Sequence, residues 1–169
     1  MKTIFLLRHG KSDWDADYDA DHERPLAKRG IKAAKAMGKW LRSIDQVPAF
    51  LVSSSAVRAR TTLQLAKEAG QWGGDIHIVS DLYDASVYDY VAVARQTPEQ
   101  FDSVILTGHE PTCSMTTSLL VGGAAVRFPT ATMARIDLHI DSWQEVGERT
   151  GQLIWFVPAR TITDQNPEF

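Results

Sequence analysis

An α/β fold, arranged as a three-layer sandwich with helices on both faces of a mainly parallel sheet, is what this sequence predicts. Three observations predict it. Short, almost wholly apolar runs alternate with segments of helical periodicity from the start of the chain to about residue 121. The runs at 3–7 and 103–107 are too apolar for strands with one wet face, so they read as strands buried on both sides. The last third turns to two further strand-like runs, which leaves room for one antiparallel member.

The first strand, 3–7, ends at Arg8-His9-Gly10. Across residues 11–24 aspartates fall on every second position from 13 to 21, with no apolar periodicity, which predicts an exposed loop. Pro25 then opens a helix at about 26–44, where Ile31, Ala34, Met37, Leu41 and Ile44 recur at helical spacing. Opposite them Lys28, Lys32, Lys35, Lys39 and Arg42 form a narrow basic stripe, which suits a solvated face and could also dock an acidic partner. A second strand, 50–53, is followed by Ser54-Ser55 as capping residues and a helix at about 56–69 that stops before Gly70. Residues 76–79 make a third strand, about 87–96 a weaker helix, and 103–107 a fourth strand ending at Gly108-His109-Glu110-Pro111-Thr112. A helix at about 111–121 follows. Strands at 132–140 and 152–157 are joined by a polar segment with no clear helix. With no repeat, low-complexity stretch or linker in 169 residues, one domain over 1–169 is expected.

Composition narrows the function classes. A net charge of -3 and a pI near 5.9 provide no global basic field, so nucleic-acid binding is not expected and any anion site must be built locally. The apolar run after Lys2 stops at Arg8, short of a signal-peptide core of roughly 7–15 residues, and no segment reaches membrane-spanning length. The single cysteine, Cys113, cannot form an internal disulfide, which fits a cytoplasmic protein.

Open α/β sheets bind ligands beyond the carboxyl ends of their strands, where the following helices present free backbone N–H groups. Arg8-His9-Gly10, Arg58 and His109 all fall at such ends. Arg58, in the first turn of a helix, opposes the macrodipole unless an anion lies before it. Gly10 would let the backbone approach such a ligand, and Arg8 offers a planar fork for phosphate oxygens. A histidine nucleophile must be neutral, and a neighbouring guanidinium disfavours a second positive charge, so His9 is suitably placed. Phosphoryl transfer needs an in-line nucleophile and fixed positive charge on the equatorial oxygens, which Arg8, Arg58 and His109 could supply. Singly, His9 reads equally well as a structural histidine, while His109 alone is more often a hydrogen-bonded structural residue and Arg58 alone a solvated side chain. Their joint placement at strand ends is what points to a site.

These residues resemble the histidine phosphatase superfamily, which has the phosphoglycerate mutase-like fold, and in particular its small bacterial phosphohistidine phosphatase branch. The resemblance runs through most of the chain. Leu7-Arg8-His9-Gly10-Lys11-Ser12 looks like that branch's opening motif, which puts its nucleophile on His9 and its first phosphate-binding arginine on Arg8. Arg24-Pro25-Leu26 with Arg29-Gly30 is similar to a pattern whose arginine helps hold phosphate, here Arg24. The segments around Arg58 and Gly108-His109-Glu110-Pro111 resemble those carrying the second arginine and second histidine. The match departs from the wider superfamily at the proton donor, usually a glutamate aligned with residues 81–84: Asp84 is the first candidate, Asp81 the second, and a plain surface aspartate stays open for both. Glu110 stands where relatives often carry a smaller polar residue. The resemblance implies a metal-independent phosphatase that works through a phosphohistidine intermediate, needs no cofactor, and acts on phosphohistidine of a protein. A small phosphorylated metabolite or sugar is the alternative substrate, and a non-catalytic phosphate-dependent binding module the alternative function.

Rival motifs fail on spacing. Asp13-Trp14-Asp15-Ala16-Asp17 imitates a calcium loop, but Tyr18 replaces its glycine and Arg24 its closing glutamate, so no metal is assigned. A cysteine phosphatase loop around Cys113 would need an arginine where Leu119 stands, which leaves Cys113 as a buried helical thiol. No Walker-type phosphate loop occurs.

Overall fold

Six strands and five helices, alternating as far as β5, make up a computed structural model that describes residues 1–166 and 168–169. In order they are β1 (Lys2–Arg8), α1 (Lys28–Ser43), β2 (Phe50–Ser54), α2 (Val57–Gly70), β3 (Ile76–Val79), α3 (Val87–Arg95), β4 (Ser103–Gly108), α4 (Thr112–Val121), β5 (Thr132–Leu138), β6 (Gly151–Pro158) and α5 (Ala159–Gln165). One mixed sheet runs in the order β3-β2-β4-β1-β5-β6. The pairs β3–β2, β2–β4 and β4–β1 are parallel, while β5 is antiparallel to both β1 and β6. The expected single antiparallel member is therefore β5.

Period-two alternation in β1 splits the core into two layers. Ile4 and Leu6 point into a cluster with Tyr90, Val93, Leu120 and Trp143, on the face covered by α3 and α4. Phe5 and Leu7 point into the opposite cluster with Met37, Leu41, Leu63 and Ile162, under α1, α2 and α5. A strand that feeds both layers must be apolar at every inward position, which is why 4–7 carries no polar alternate. Strand order reverses direction between β1 and β4, so their following helices α1 and α4 lie on opposite faces. The crevice beyond the carboxyl ends of β1 and β4 is the topological switch point where open α/β sheets bind ligands.

Local details correct several expectations. Pro25 does not open α1: residues 25–27 stay extended, tied back to the loop by Asp13 N–H to the Pro25 carbonyl and Ala27 N–H to the Lys11 carbonyl, and Ala27 caps the helix. Leu26 forms an isolated antiparallel bridge with Ser12. Ser54 and Ser55 do not cap α2, whose first turn starts from Ala56 without a side-chain acceptor. α5 went unpredicted because Ala159–Gln165 is short and has two β-branched threonines, and it forms by burying Ala159 and Ile162 against α1. Cys113 is a fully buried thiol in α4, as expected.

Candidate active site

Strand register builds the site. The parallel pairing of β1 with β4 sets Arg8 opposite Gly108, so the next residues along each strand, His9 and His109, leave the sheet side by side. Their ring centroids are 5.3 Å apart. Backbone bonds fix the first of these turns on both sides: His9 N–H donates to the Gly108 carbonyl at 3.0 Å, and Ala131 N–H donates to the His9 carbonyl at 2.9 Å. His109 N–H donates to the Tyr90 hydroxyl at 3.0 Å. Gly10 N–H donates to Thr62 Oγ1. The amides of His9, Gly10, His109 and Ala131 are thus consumed by the fold. The close approach at Gly10 is likewise to backbone rather than ligand, since a Cβ there would lie 2.8 Å from the Gly30 carbonyl oxygen.

Side chains do the remaining work. His9 Nδ1 lies 2.7 Å from the Gly10 carbonyl oxygen, which can only accept, so Nδ1 carries the proton of the neutral ring and Nε2 keeps its lone pair. Burial, joined by the nearby His109, Arg58 and Arg8, pushes the His9 pKa down to about 3 against the opposing Gly10 bond. Burial and the Arg58 charge push His109 down to about 4. Both imidazoles are neutral at pH 7. His109 Nε2 is 2.8 Å from Ser54 Oγ, a hydroxyl that either donates or accepts. Ser55 turns to His22 in the same way, which is why neither serine caps α2.

Three guanidinium groups converge on the pocket from β1, the 3₁₀ turn at Asp21–Glu23 and α2. Arg8 donates to the Phe128 carbonyl, Arg24 to Ser12 Oγ and Asp21, and Arg58 to the Asp21 carbonyl and carboxylate. The Nε atom of each is buried without a protein acceptor. Burial disfavours the charge on Arg8 and lowers its pKa. Three desolvated cations around one depression are favourable only with anionic charge between them. The carboxylate of Asp21 supplies part of it. Burial would raise the Asp21 pKa, but the hydrogen bonds from Arg24 and Tyr83 and the Arg58 charge outweigh it and hold the group at about 2.

Asp21 and Tyr83 were missed from sequence: Asp21 is the last of five alternating aspartates, and its only signal was the three-residue spacing to Arg24. Asp84 lines the pocket, exposed and with a left-handed φ of 52°. Asp81 lies in the turn Ser80–Leu82, exposed and outside the pocket lining. Glu110 lines the pocket but directs both carboxylate oxygens to Ser114. The pocket is about 810 Å³. Trp14, Tyr88 and Met115 on its lining are 62%, 72% and 52% exposed, half of the six large hydrophobic side chains that the described residues leave in solvent. Trp14 stacks on the Arg24 guanidinium, 3.5 Å from carbon to ring centroid. The arrangement can bind a dianionic phosphate and present one neutral imidazole nitrogen to it.

A family model of the histidine phosphatase superfamily (branch 1) matches residues 4–105, and the chain belongs to that superfamily. It is a histidine phosphatase, and within the superfamily it stands with the SixA-like branch. SixA of Agrobacterium tumefaciens, assigned as a phosphohistidine phosphatase, superposes with a TM-score of 0.78 at 27% identity, over 92% of this chain and 97% of that one. A SixA protein histidine phosphatase solved with tungstate shares the fold, with a TM-score of 0.81 at 23% identity over 94% and 98% of the two chains. An uncharacterized protein of Mycobacterium tuberculosis is 32% identical over 164 residues, 89% of this chain and 98% of the relative. His109 lies beyond the residues that the family model matches. Among the described residues no helix is long and apolar enough to cross a membrane.

Proposed function

We propose that this phosphatase transfers the phosphoryl group of a protein-borne phosphohistidine to His9 Nε2 and then to water. The observation that carries it is the Nδ1 contact of His9 with the Gly10 carbonyl, which leaves a neutral, lone-pair-bearing Nε2 in a pocket walled by Arg8, Arg24 and Arg58. In the first step Nε2 bonds to phosphorus, the substrate's P–N bond breaks, and the departing imidazole takes up a proton. In the second a water molecule attacks phospho-His9, releasing inorganic phosphate and restoring the neutral ring. Arg8, Arg24, Arg58 and His109 hold the equatorial oxygens, so the charge stabilisation comes from the chain itself. Imidazole is a better leaving group than an alkoxide, which lessens the demand on Asp84 as proton donor.

The exposed rim of Trp14, Tyr88 and Met115 favours a protein substrate, since aromatic and methionine side chains at a pocket mouth suit protein contact. The pocket volume favours the second reading, a small phosphorylated metabolite or sugar, because about 810 Å³ lies within the range of small-molecule sites. We further propose one phosphatase domain over residues 1–169, supported by β1 lying between β4 and β5, and a cytoplasmic setting, supported by the lone buried thiol of Cys113. Turnover of a phosphohistidine protein in EDTA, quenched in alkali, tests the mechanism: labelled phosphate is expected on His9 and absent from His9→Ala. Loss of activity in EDTA, or an unlabelled wild-type enzyme, refutes it. A small metabolite preferred by a wide margin refutes the protein substrate alone.

A further inference from the structure

A second depression, about 410 Å³, adjoins the first and shares Lys11 and Thr130 with it. Three separate segments bring cations to its walls: Lys11 from the loop after β1, Arg29 and Lys32 from α1, and Arg160 from the first turn of α5. None of these four side chains makes an ion pair or hydrogen bond with a described residue. Asp164 is the one carboxylate on the lining, and Ala33, Pro129, Pro158 and Ala159 make the apolar floor. Taken together, the two depressions are lined by seven of the chain's 18 lysines and arginines but only four of its 21 carboxylates.

An exposed lysine is ordinarily just solvated, as Lys28 and Lys35 of the stripe on α1 are. The groove differs in having unpaired cations from three elements facing one hollow, in a chain whose net charge is -3. Arg29 and Lys32, three residues apart on one helix, repel each other, and Arg160 opposes the dipole of its helix. Such a cluster costs folding energy unless a ligand offsets it. Its continuity with the phosphate pocket lets a substrate larger than the phosphoryl group reach it.

We propose that this groove docks an acidic stretch of the protein that bears the phosphohistidine, with carboxylates on Arg29, Lys32 and Arg160 and the chain lying over the apolar floor. The proposal rests on the protein-substrate reading given above. Its test compares wild type with the surface double variant Lys32→Glu/Arg160→Glu on three substrates. These are a phosphohistidine protein with Asp/Glu-rich flanks, the same protein with flanks changed to Asn/Gln, and p-nitrophenyl phosphate. On the acidic-flanked protein, kcat/KM is expected to fall about tenfold through KM, with kcat unchanged and the wild-type advantage erased by salt. Neither other substrate should change. Equal kcat/KM of the two enzymes on the acidic-flanked protein, or the same loss on p-nitrophenyl phosphate, overturns the proposal. So does a matching tenfold loss on a small bisphosphate, which would make the groove a second phosphate subsite. If wild type fails to turn over any phosphohistidine protein, the substrate reading falls by itself, and the groove is then judged by fluorescence anisotropy with a labelled, unphosphorylated Asp/Glu-rich peptide. About tenfold weaker binding to the double variant supports the groove, and equal binding overturns it.

Discussion

Oδ2 of Asp21 lies 3.0 Å from Nη2 of Arg58, while Oδ1 of the same carboxylate lies 2.8 Å from Nη2 of Arg24. One anion therefore ties together two cations that wall the phosphate pocket. Asp21→Asn keeps the shape and removes the charge. It should lower stability by about 1 kcal/mol at pH 7, a modest figure because the carboxylate is 49% exposed and screened. The folded pKa of about 2 lies below the ordinary value of 3.8, so this contribution is present above about pH 4 and lost as pH falls toward 2. Urea unfolding of both proteins at pH 7 and pH 3 checks it: the gap should narrow at the lower pH. Freed of a competing carboxylate, the variant should also bind inorganic phosphate several-fold more tightly, and weaker phosphate inhibition would contradict the charge argument.

Histidine ring titration gives a second check. With His9 held near 3 and His109 near 4, neither ring should change charge between about pH 5 and pH 8, and His9 should report a proton on Nδ1 throughout. Nitrogen NMR of the two rings reads this directly, and a transition near pH 6.5 for His9 would contradict it. The same shifts predict a stability loss in acid. Both folded pKa values lie below 6.5, so the unfolded chain binds more protons as pH falls and stability declines from about pH 6.5 downward. His9 alone should account for on the order of 3 kcal/mol by pH 4. In His9→Ala the decline should be visibly shallower.

Asp84 and Asp81 make separable predictions. Asp84 lines the pocket and Asp81 does not. Asp84→Asn should slow hydrolysis of an alkyl phosphate about a hundredfold, the usual size of general-acid help, and slow phosphohistidine hydrolysis far less. Asp81→Asn should leave both rates within twofold. Equal losses on the two substrates from Asp84→Asn would assign it a binding role instead.

Gly38 tests the packing that supports the site. A Cβ at this position would overlap the carbonyl oxygen of Ala66, where α1 crosses α2. Alanine gains about 1 kcal/mol in helix propensity, but overpacking against fixed backbone costs roughly 1–3 kcal/mol and should win. Gly38→Ala should therefore lower the thermal midpoint, with Arg58 on α2 displaced and KM raised. A higher midpoint would mean that the helices separate freely.

Much of this was legible because strong local signals coincide with the elements. Residues 76–79 were bounded correctly, the β-branched pair Ile78-Val79 lying between Gly73-Gly74 and a serine. The strand-end positions of His9, Arg58 and His109 brought them to one pocket because parallel register aligns strand ends. Sheet order was not legible, since nothing in the composition of β1 says that β4 and β5 flank it. Ser54 and Ser55 carried the usual sign of a helix cap, yet their hydroxyls turn to His109 and His22, a choice made by partners far along the chain. Asp21 was hidden among aspartates of identical spacing, and only the folded loop singles it out.

The peptide unit of His9 is bonded to Gly108 on one side and Ala131 on the other. A ribosome that has delivered His9 must add 99 further residues to reach Gly108, the nearer clasp in sequence, and 122 to reach Ala131. At roughly 5–20 residues per second, that delay is on the order of ten seconds. Throughout it the apolar first strand lacks β4 and β5, the two strands that pair with it in the finished sheet, so both of its edges stay open to other chains.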